Sequence, residues 1–332
     1  MNKIILLGYT KEGSHTNWYP WYRFKETFNE LGYDSQWIEI QNFKREPNQN
    51  YTFICWNMPD VLDLISAGIL HKDDTVLQKV TSMTKRESSA SWGADPDAFH
   101  KTWNWPAYQM CLDVLNMGYN IYAFGCRTCY EDFPKKKELI EQLGDRMIMI
   151  PWTSCMFSYQ ELQKQKAITD NFELDCCFVG SIWGREGRGN LESVRDYLSP
   201  VFNSTDKGYA AGSGTATGPI SNAKHVEVIK KSKLCPIINA PSWRSEKGVQ
   251  DRFWTVFAAG RFGVVDTEGV YDFFSKNDVV CETDPNEYVE KSLYYMKNPE
   301  KQIPYIEKIQ QRIKTEYNWN NTFKKILTII SL

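Results

Sequence analysis

Four arginines in the second half of the chain stand where fixed positive charge can do chemistry: Arg185, Arg188, Arg244 and Arg252. A guanidinium keeps its charge at physiological pH and grips phosphate oxygens two at a time. The fullest setting is Ser242 to Asp266, SWRSEKGVQDRFWTVFAAGRFGVVD. A polar loop carrying Ser242, Trp243, Arg244, Gly248 and Val249 leads into a helical run, Gln250 to Ala259. Phe253, Val256 and Phe257 fall on one face of that run at i, i+3, i+4 spacing. Gly260 suits a left-handed C-cap, and Phe262 to Val265 reads as a buried strand ending at Asp266. The first turn of a helix offers unpaired N–H groups and positive dipole charge. Loop, helix start and arginines together are therefore the layout of an anion site. The competing reading makes Arg252 a solvated helix residue and the loop a mere connection.

A second layout of the same kind lies upstream. The strand-like run Leu174 to Gly180 passes into Ser181-Ile182-Trp183-Gly184-Arg185-Glu186-Gly187-Arg188-Gly189 and then a helix, Leu191 to Leu198. Gly180, Ser181, Arg185 and Arg188 are its candidate anion contacts. It is not a Walker loop, because no Gly-Lys-Ser/Thr follows, nor a dinucleotide fingerprint with its later acidic residue. Gly208 to Gly218 reads as a mobile surface loop. Ser221 to Ser232 reads as a helix carrying Lys224 and His225, and Leu234 to Ile238 as the strand before the main stretch.

The elements that must position these groups follow from periodicity. Strands at Lys3–Gly8, Ser35–Ile40, Tyr51–Trp56, Thr75–Thr81, Tyr119–Gly125 and Arg146–Ile150 alternate with helices, including Trp21–Leu31 and Asn104–Met117. Such alternation predicts a parallel sheet with helices on both faces, with ligands beyond the carboxyl ends of the strands. The loop after the first strand holds Gly13, Ser14, His15, Thr16, Asn17 and Trp18. His15 titrates near neutrality and is a candidate general base. Glu87 and Asp95 in the long polar stretch 83–105 are alternatives, although Asp95 before Pro96 also suits a helix cap. The expected division is a first domain over 1–160, a second over 171–315 and a closing helix over 316–332 that packs back on the first.

RFWTVFAAGRFGVVD resembles the R-x-F-E-x-x-A-C-G-x-(apolar)-D stretch of GT-B glycosyltransferases, in the group 1-like branch that includes spore-maturation-type proteins. The resemblance runs on through Glu268, Gly269, Val270, Phe273, Phe274 and DPNEYVEKSLYYMKNPE to near Trp319. The Phe178-Val179-Gly180-Ser181 turn is similar to the family's F-V-G-S loop, which lies near the donor diphosphate. The resemblance implies two Rossmann-type parallel-sheet domains facing a cleft. It also implies transfer of a sugar from a UDP- or GDP-sugar to a hydroxyl of a glycan, lipid or protein. The first-strand loop would then face the acceptor, and Lys224 and His225 would neighbour the donor. Thr255 stands where the family has a glutamate that holds the ribose, which leaves that contact open and leans toward inversion at the anomeric carbon. Phage DNA glucosyltransferases are similar in overall plan, with Arg252 and Trp254 matching their helix. A DNA base is thus an alternative acceptor, and a non-catalytic sugar-binding module is a further alternative.

Totals agree with a cytoplasmic enzyme. A chain of 332 residues suits two domains. A net charge of −2 supplies no general pull toward nucleic acid. Nine scattered cysteines fit reduced thiols, and Cys126–Cys129 is a lone CxxC. No transmembrane run is visible. No metal motif is expected either, since Asp95-Pro96-Asp97 has D-x-D spacing in the wrong half. No cofactor is expected, the nucleotide sugar being a substrate.

Overall fold

The computed structural model describes residues 3–8, 10, 18–56, 58–80, 106–126, 134–185, 188–245 and 247–330. The chain divides into two compact units: Met1–Pro151 with Trp319–Leu332, and Trp152–Asn318.

The first unit is β1 (Lys3–Leu7), α1 (Trp18–Glu30), β2 (Ser35–Ile38), β3 (Tyr51–Cys55), α2 (Met58–Ser66), β4 (Thr75–Lys79), α3 (Pro106–Asn116), β5 (Asn120–Cys126), α4 (Pro134–Leu143) and β6 (Met147–Ile150). Its six strands form one parallel sheet in the order β2-β1-β3-β4-β5-β6. β3 and β4 are buried along their whole length, as parallel strands covered on both faces must be. The last helix of the chain, α13 below, belongs to this unit. Trp319 and Phe323 set their rings 4.4 and 4.9 Å from Phe24 of α1, and aromatic faces of that size bury enough apolar area to hold a terminal helix.

The second unit begins with α5 (Tyr159–Lys164), β7 (Leu174–Val179) and the antiparallel pair β8 (Gly184–Arg185) and β9 (Arg188–Gly189). α6 (Leu191–Ser193) then runs through a π turn into α7 (Ser199–Asn203). Next come β10 (Gly208–Ala211), α8 (Asn222–Lys230), β11 (Ser232–Leu234), α9 (Pro241–Ser245), α10 (Asp251–Ala258), α11 (Pro285–Lys297) and α12 (Ile303–Thr315), after which the chain returns to the first unit as α13 (Trp319–Ile329). The parallel sheet β10-β7-β11 continues through single bridges from Ile237 to Val265 and from Val265 to Cys281. Cys176 and Cys177 are buried in β7 as core residues.

Three expectations change here. The segment 152–170, expected to lie in the first domain or between the two, is built into the second unit: Ser158 caps α5 in a capping box, and Leu162 is buried in the core. Ser242 to Ser245, expected as loop, lie in the short helix α9. Gly208 to Gly218, expected as a mobile loop, supplies the edge strand β10 and a bridge between Gly212 and Gly218. Its small residues have a packing reason. A Cβ on Gly212 would stand 2.2 Å from the Gly180 carbonyl oxygen, and one on Gly214 would stand 2.1 Å from that of Ile182.

α10 ends as its sequence requires. Gly260 takes φ +80°, and an added Cβ would meet the Lys166 carbonyl oxygen at 1.9 Å. Gly260→Ala therefore combines left-handed strain of about 1–2 kcal/mol with backbone overpacking. We expect it to lower unfolding free energy by at least about 2 kcal/mol in urea titration. A loss within experimental error would show that the 166–168 segment yields freely.

Candidate anion site in the second unit

Arg252 lies in the first turn of α10, whose apolar face (Phe253, Val256, Phe257) is buried in the core. Its side chain reaches the carboxyl ends of two parallel strand segments. Nε donates to the Val179 carbonyl at 3.2 Å and Nη1 to the Ile238 carbonyl at 2.8 Å. The guanidinium carbon stands 4.2 Å from the centre of the Phe178 ring. Gly180 makes this possible, because a Cβ there would fall 2.0 Å from Arg252 Nη2. Gly180 is fixed in turn by its N–H to the Ala211 carbonyl, and Ile182 by its N–H to that of Ser213. Among the described residues no carboxylate forms an ion pair with Arg252. Burial pulls its pKa down to about 10, while Asp266 and Asp251 act from a distance the other way.

A second uncompensated guanidinium shows what is special about this one. Arg261 is fully buried and donates to the carbonyls of Ile168 and Lys233, on the amino-end side of β11. No ligand reaches it. Arg252 is only partly buried and sits at the strand ends where parallel sheets take ligands.

His225, in the second turn of α8, feels the charge of Arg252; its Nε2 is buried and has no hydrogen-bond partner. Burial first and Arg252 second push its pKa down to about 4.

Arg244 behaves differently. Its Nη1 donates to Asp266 Oδ2 at 3.1 Å, to Ser193 Oγ at 2.8 Å and to the Asn239 carbonyl at 3.3 Å. The guanidinium stacks 4.6 Å from the Tyr197 ring centre. Asp266 is fully buried and also accepts the Asn239 backbone N–H at 2.7 Å. Arg244 thus carries its counter-ion inside the protein. The sequence offered Arg244 and Asp266 as separate features 22 residues apart, and nothing in it signalled the pair.

Thr255, at the position of the family's ribose-binding glutamate, is wholly buried. Its hydroxyl lies 2.8 Å from Ser154 Oγ and donates to Asp251 Oδ2 at 3.2 Å. Asp251, one turn earlier, has its Oδ1 buried and without a hydrogen-bond partner among the described residues.

Burial raises the Asp251 pKa to about 6, against opposing hydrogen bonds from Thr255 and the Cys155 backbone. A raised carboxyl pKa gives stability present below the unfolded value and lost as pH climbs through the folded one. Asp251→Asn should therefore be more stable than the parent at pH 8, by on the order of 2 kcal/mol, with the advantage gone near pH 4. Thermal melts across that range check it, and parallel curves for the two proteins would refute it.

Of the other candidates, Gly180 and Ser181 stand in the turn after β7, and Arg185 and Arg188 are register partners in the β8–β9 pair. Trp243 packs on Gly248, where a Cβ would come within 2.3 Å of its ring. Val249 is a core residue of this unit. Lys224 is exposed and paired with Glu227 at 3.0 Å. Trp18 is the first residue of α1. Gly13, Ser14, His15, Thr16, Asn17, Glu87 and Asp95 lie outside the described residues.

Residues 166–328 match a family model described as Glycosyl transferase-like. The match takes in most of the second unit and runs on into α13 of the first. No curated protein matches the chain in sequence. Solved structures match it in fold. T4 phage β-glucosyltransferase in complex with UDP-glucose superposes with a TM-score of 0.61 at 12% identity, over 100% of both chains. An α-glucosyltransferase in complex with UDP and a 13-mer DNA gives 0.54 at 11%, again over 100% of both. TarM gives 0.54 at 10%, over 85% of this chain and 55% of its own. The fold is GT-B, with two Rossmann-like α/β units. The matched residues include Arg252, His225 and Arg261. No helix among the described residues is long and apolar enough to cross a membrane.

Proposed function

We propose that the protein transfers a sugar from a UDP- or GDP-sugar to a hydroxyl of a glycan, lipid or protein, with Arg252 holding the donor's diphosphate. One observation carries this: a guanidinium at the carboxyl ends of the strands, held by two carbonyls and in no ion pair with a carboxylate among the described residues. Buried cations are stable when paired, and a diphosphate supplies the missing charge. The family model and the GT-B fold support transfer from a nucleotide sugar. In the reaction the bond from the anomeric carbon to the β-phosphate oxygen breaks, and the electron pair stays on that oxygen. Arg252 and the first turn of α10 stabilise the charge as it forms. The acceptor oxygen bonds the anomeric carbon and loses its proton to a base, for which His15, Asp95 and Glu87 remain the candidates. Neutralisation by protein groups requires no metal in this reading, so EDTA should leave turnover unchanged.

A hydroxymethylated DNA base is the second reading of the acceptor. The T4 phage enzyme and the DNA-bound α-glucosyltransferase named above match over the full length of this chain, whereas TarM is nearly twice as long as the part it shares. Calorimetric titration with UDP, GDP and their sugars, followed by transfer assays on hydroxymethylated duplex and an oligosaccharide panel, tests both. Binding of neither nucleotide would refute donor use.

A further inference from the structure

We infer that the second unit carries a glycan-binding pocket apart from the Arg252 site, and that this pocket takes an anionic sugar residue bearing a carboxylate or a phosphate ester. It is independent of donor binding at Arg252. The corner between α11 and α12 builds it. Tyr294 and Tyr295 stand in the last turn of α11, a 3-10 turn follows at Pro299–Gln302, and Tyr305 lies in the first turn of α12. Gln302 is fully buried, and its Nε2 donates to the Tyr295 and Lys233 carbonyls at 2.9 Å each. The corner is thus fixed before any ligand arrives, which lowers the ordering cost of binding. Tyr295 and Tyr305 set their rings 4.7 and 5.9 Å from that of Phe262 and join through their hydroxyls at 3.3 Å. Tyr294 meets Tyr295 edge to face at 5.1 Å and is 49% exposed. The cavity these rings border with Asn277, Lys301 and Lys308 measures about 300 Å³, at the lower end for small-molecule sites. Phe262 opens the strand segment that ends at Asp266, whereas Arg252 acts on the Ile238 carbonyl, next to the bridge between Ile237 and Val265. Three residues of extended chain put roughly 10 Å between the two places.

The lining decides the chemistry of the ligand. Two ammonium groups and three phenol rings border the cavity, and among the described residues no carboxylate does. Lys308 is held by Asp278 at 2.9 Å, and Asp278 also accepts from Ser275 Oγ at 2.7 Å. Lys301 is exposed and forms no ion pair among the described residues. Lys301 therefore supplies the charge an anion meets, while Lys308 and the Asn277 amide offer donors to hydroxyls. Core packing accounts for Tyr295 and Tyr305, which back onto Phe262. It does not account for Tyr294, half exposed on the same cavity as Lys301. A tyrosine face takes the C–H side of a sugar ring, and its hydroxyl the polar rim. Duplex DNA would give the lysines phosphates but leave the rings idle, because stacking on an aromatic side chain needs an unstacked base. The chain's net charge of −2 adds no pull toward DNA. A glycan held here by one residue keeps the rest of its length close to the enzyme without entering the reaction.

The test is NMR titration of the intact protein, labelled at its tyrosine rings, with trigalacturonate, glucose 6-phosphate, maltotriose and a thymidine trinucleotide. We expect the Tyr294 and Tyr305 resonances to move with trigalacturonate or glucose 6-phosphate at several-fold lower concentration than with maltotriose. The first two probes tell a carboxylate ligand from a phosphate one. Tyr294→Ala should abolish binding as read on Tyr305. Lys301→Glu should remove the preference for acidic over neutral sugar, and Lys301→Arg should keep it. Both positions are exposed, so these variants retain the fold. Saturating UDP should not displace the acidic sugar. Equal affinity for maltotriose, tighter binding of the trinucleotide, displacement by UDP or silence toward every probe overturns the pocket and leaves Arg252 standing. Failure of UDP and GDP to bind overturns the donor reading and leaves the pocket standing.

Discussion

Arg252→Ala is expected to lower sugar transfer by about 100- to 1,000-fold, the range seen when one preorganised stabiliser of developing charge is removed. The effect should fall on turnover as well as on donor affinity, because negative charge concentrates on the β-phosphate only as the glycosidic bond breaks. The protein should remain folded. The substitution leaves the Val179 and Ile238 carbonyls without their donors, at about 1–3 kcal/mol, but it also removes a cation that the fold does not neutralise. Gly180→Ala provides an independent approach to the same group. The new methyl would stand 2.0 Å from Arg252 Nη2, so the guanidinium must move while its charge stays. If position matters as much as charge, Gly180→Ala approaches the Arg252→Ala defect; if only the net field matters, it transfers nearly as well as the parent. Initial rates against donor concentration, with circular-dichroism melts as control, read both. Undiminished transfer by Arg252→Ala would remove this residue from the mechanism.

Asp266→Ala should cost about 3–5 kcal/mol of unfolding free energy, the usual penalty for leaving one member of a buried pair alone. Arg244 would keep its contacts with Ser193 and the Asn239 carbonyl but lose the Asp266 carboxylate. The Asn239 backbone N–H would lose its acceptor as well. Replacing both charges, as Asp266→Ala with Arg244→Met, should recover part of the loss, and the double-mutant cycle isolates the pair. Urea titration measures it. A cost under about 1 kcal/mol for Asp266→Ala would mean that solvent already reaches Arg244 and that its charge is available to a ligand. The two arginines are thus separable: Arg244→Ala should act chiefly on stability, and Arg252→Ala chiefly on transfer.

Local periodicity made much of the architecture legible. The alternation of short apolar runs with amphipathic stretches anticipated all six strands of the first sheet to within two residues at either end. α10 and its glycine stop were equally readable, because a helix face and a left-handed cap are properties of neighbouring residues. The Gly208–Gly218 segment was not readable. Small residues look the same whether they let a loop move or let two backbones touch, and only the approach of Gly212 to the Gly180 carbonyl separates the cases.

The chain alone determined which groups are available: four arginines near glycine turns, a helix start to carry one of them, and the order of strands that brings them to one half of the molecule. Tertiary structure decided which charges are free. Arg244 finds Asp266, Arg261 is sealed behind Gln302 and two carbonyls, and Arg252 reaches the strand ends with no anion beside it. The physical reason is that a charge's fate depends on what lies within a few ångströms in space. Partners 22, 41 or 73 residues away in the chain are brought there only by folding.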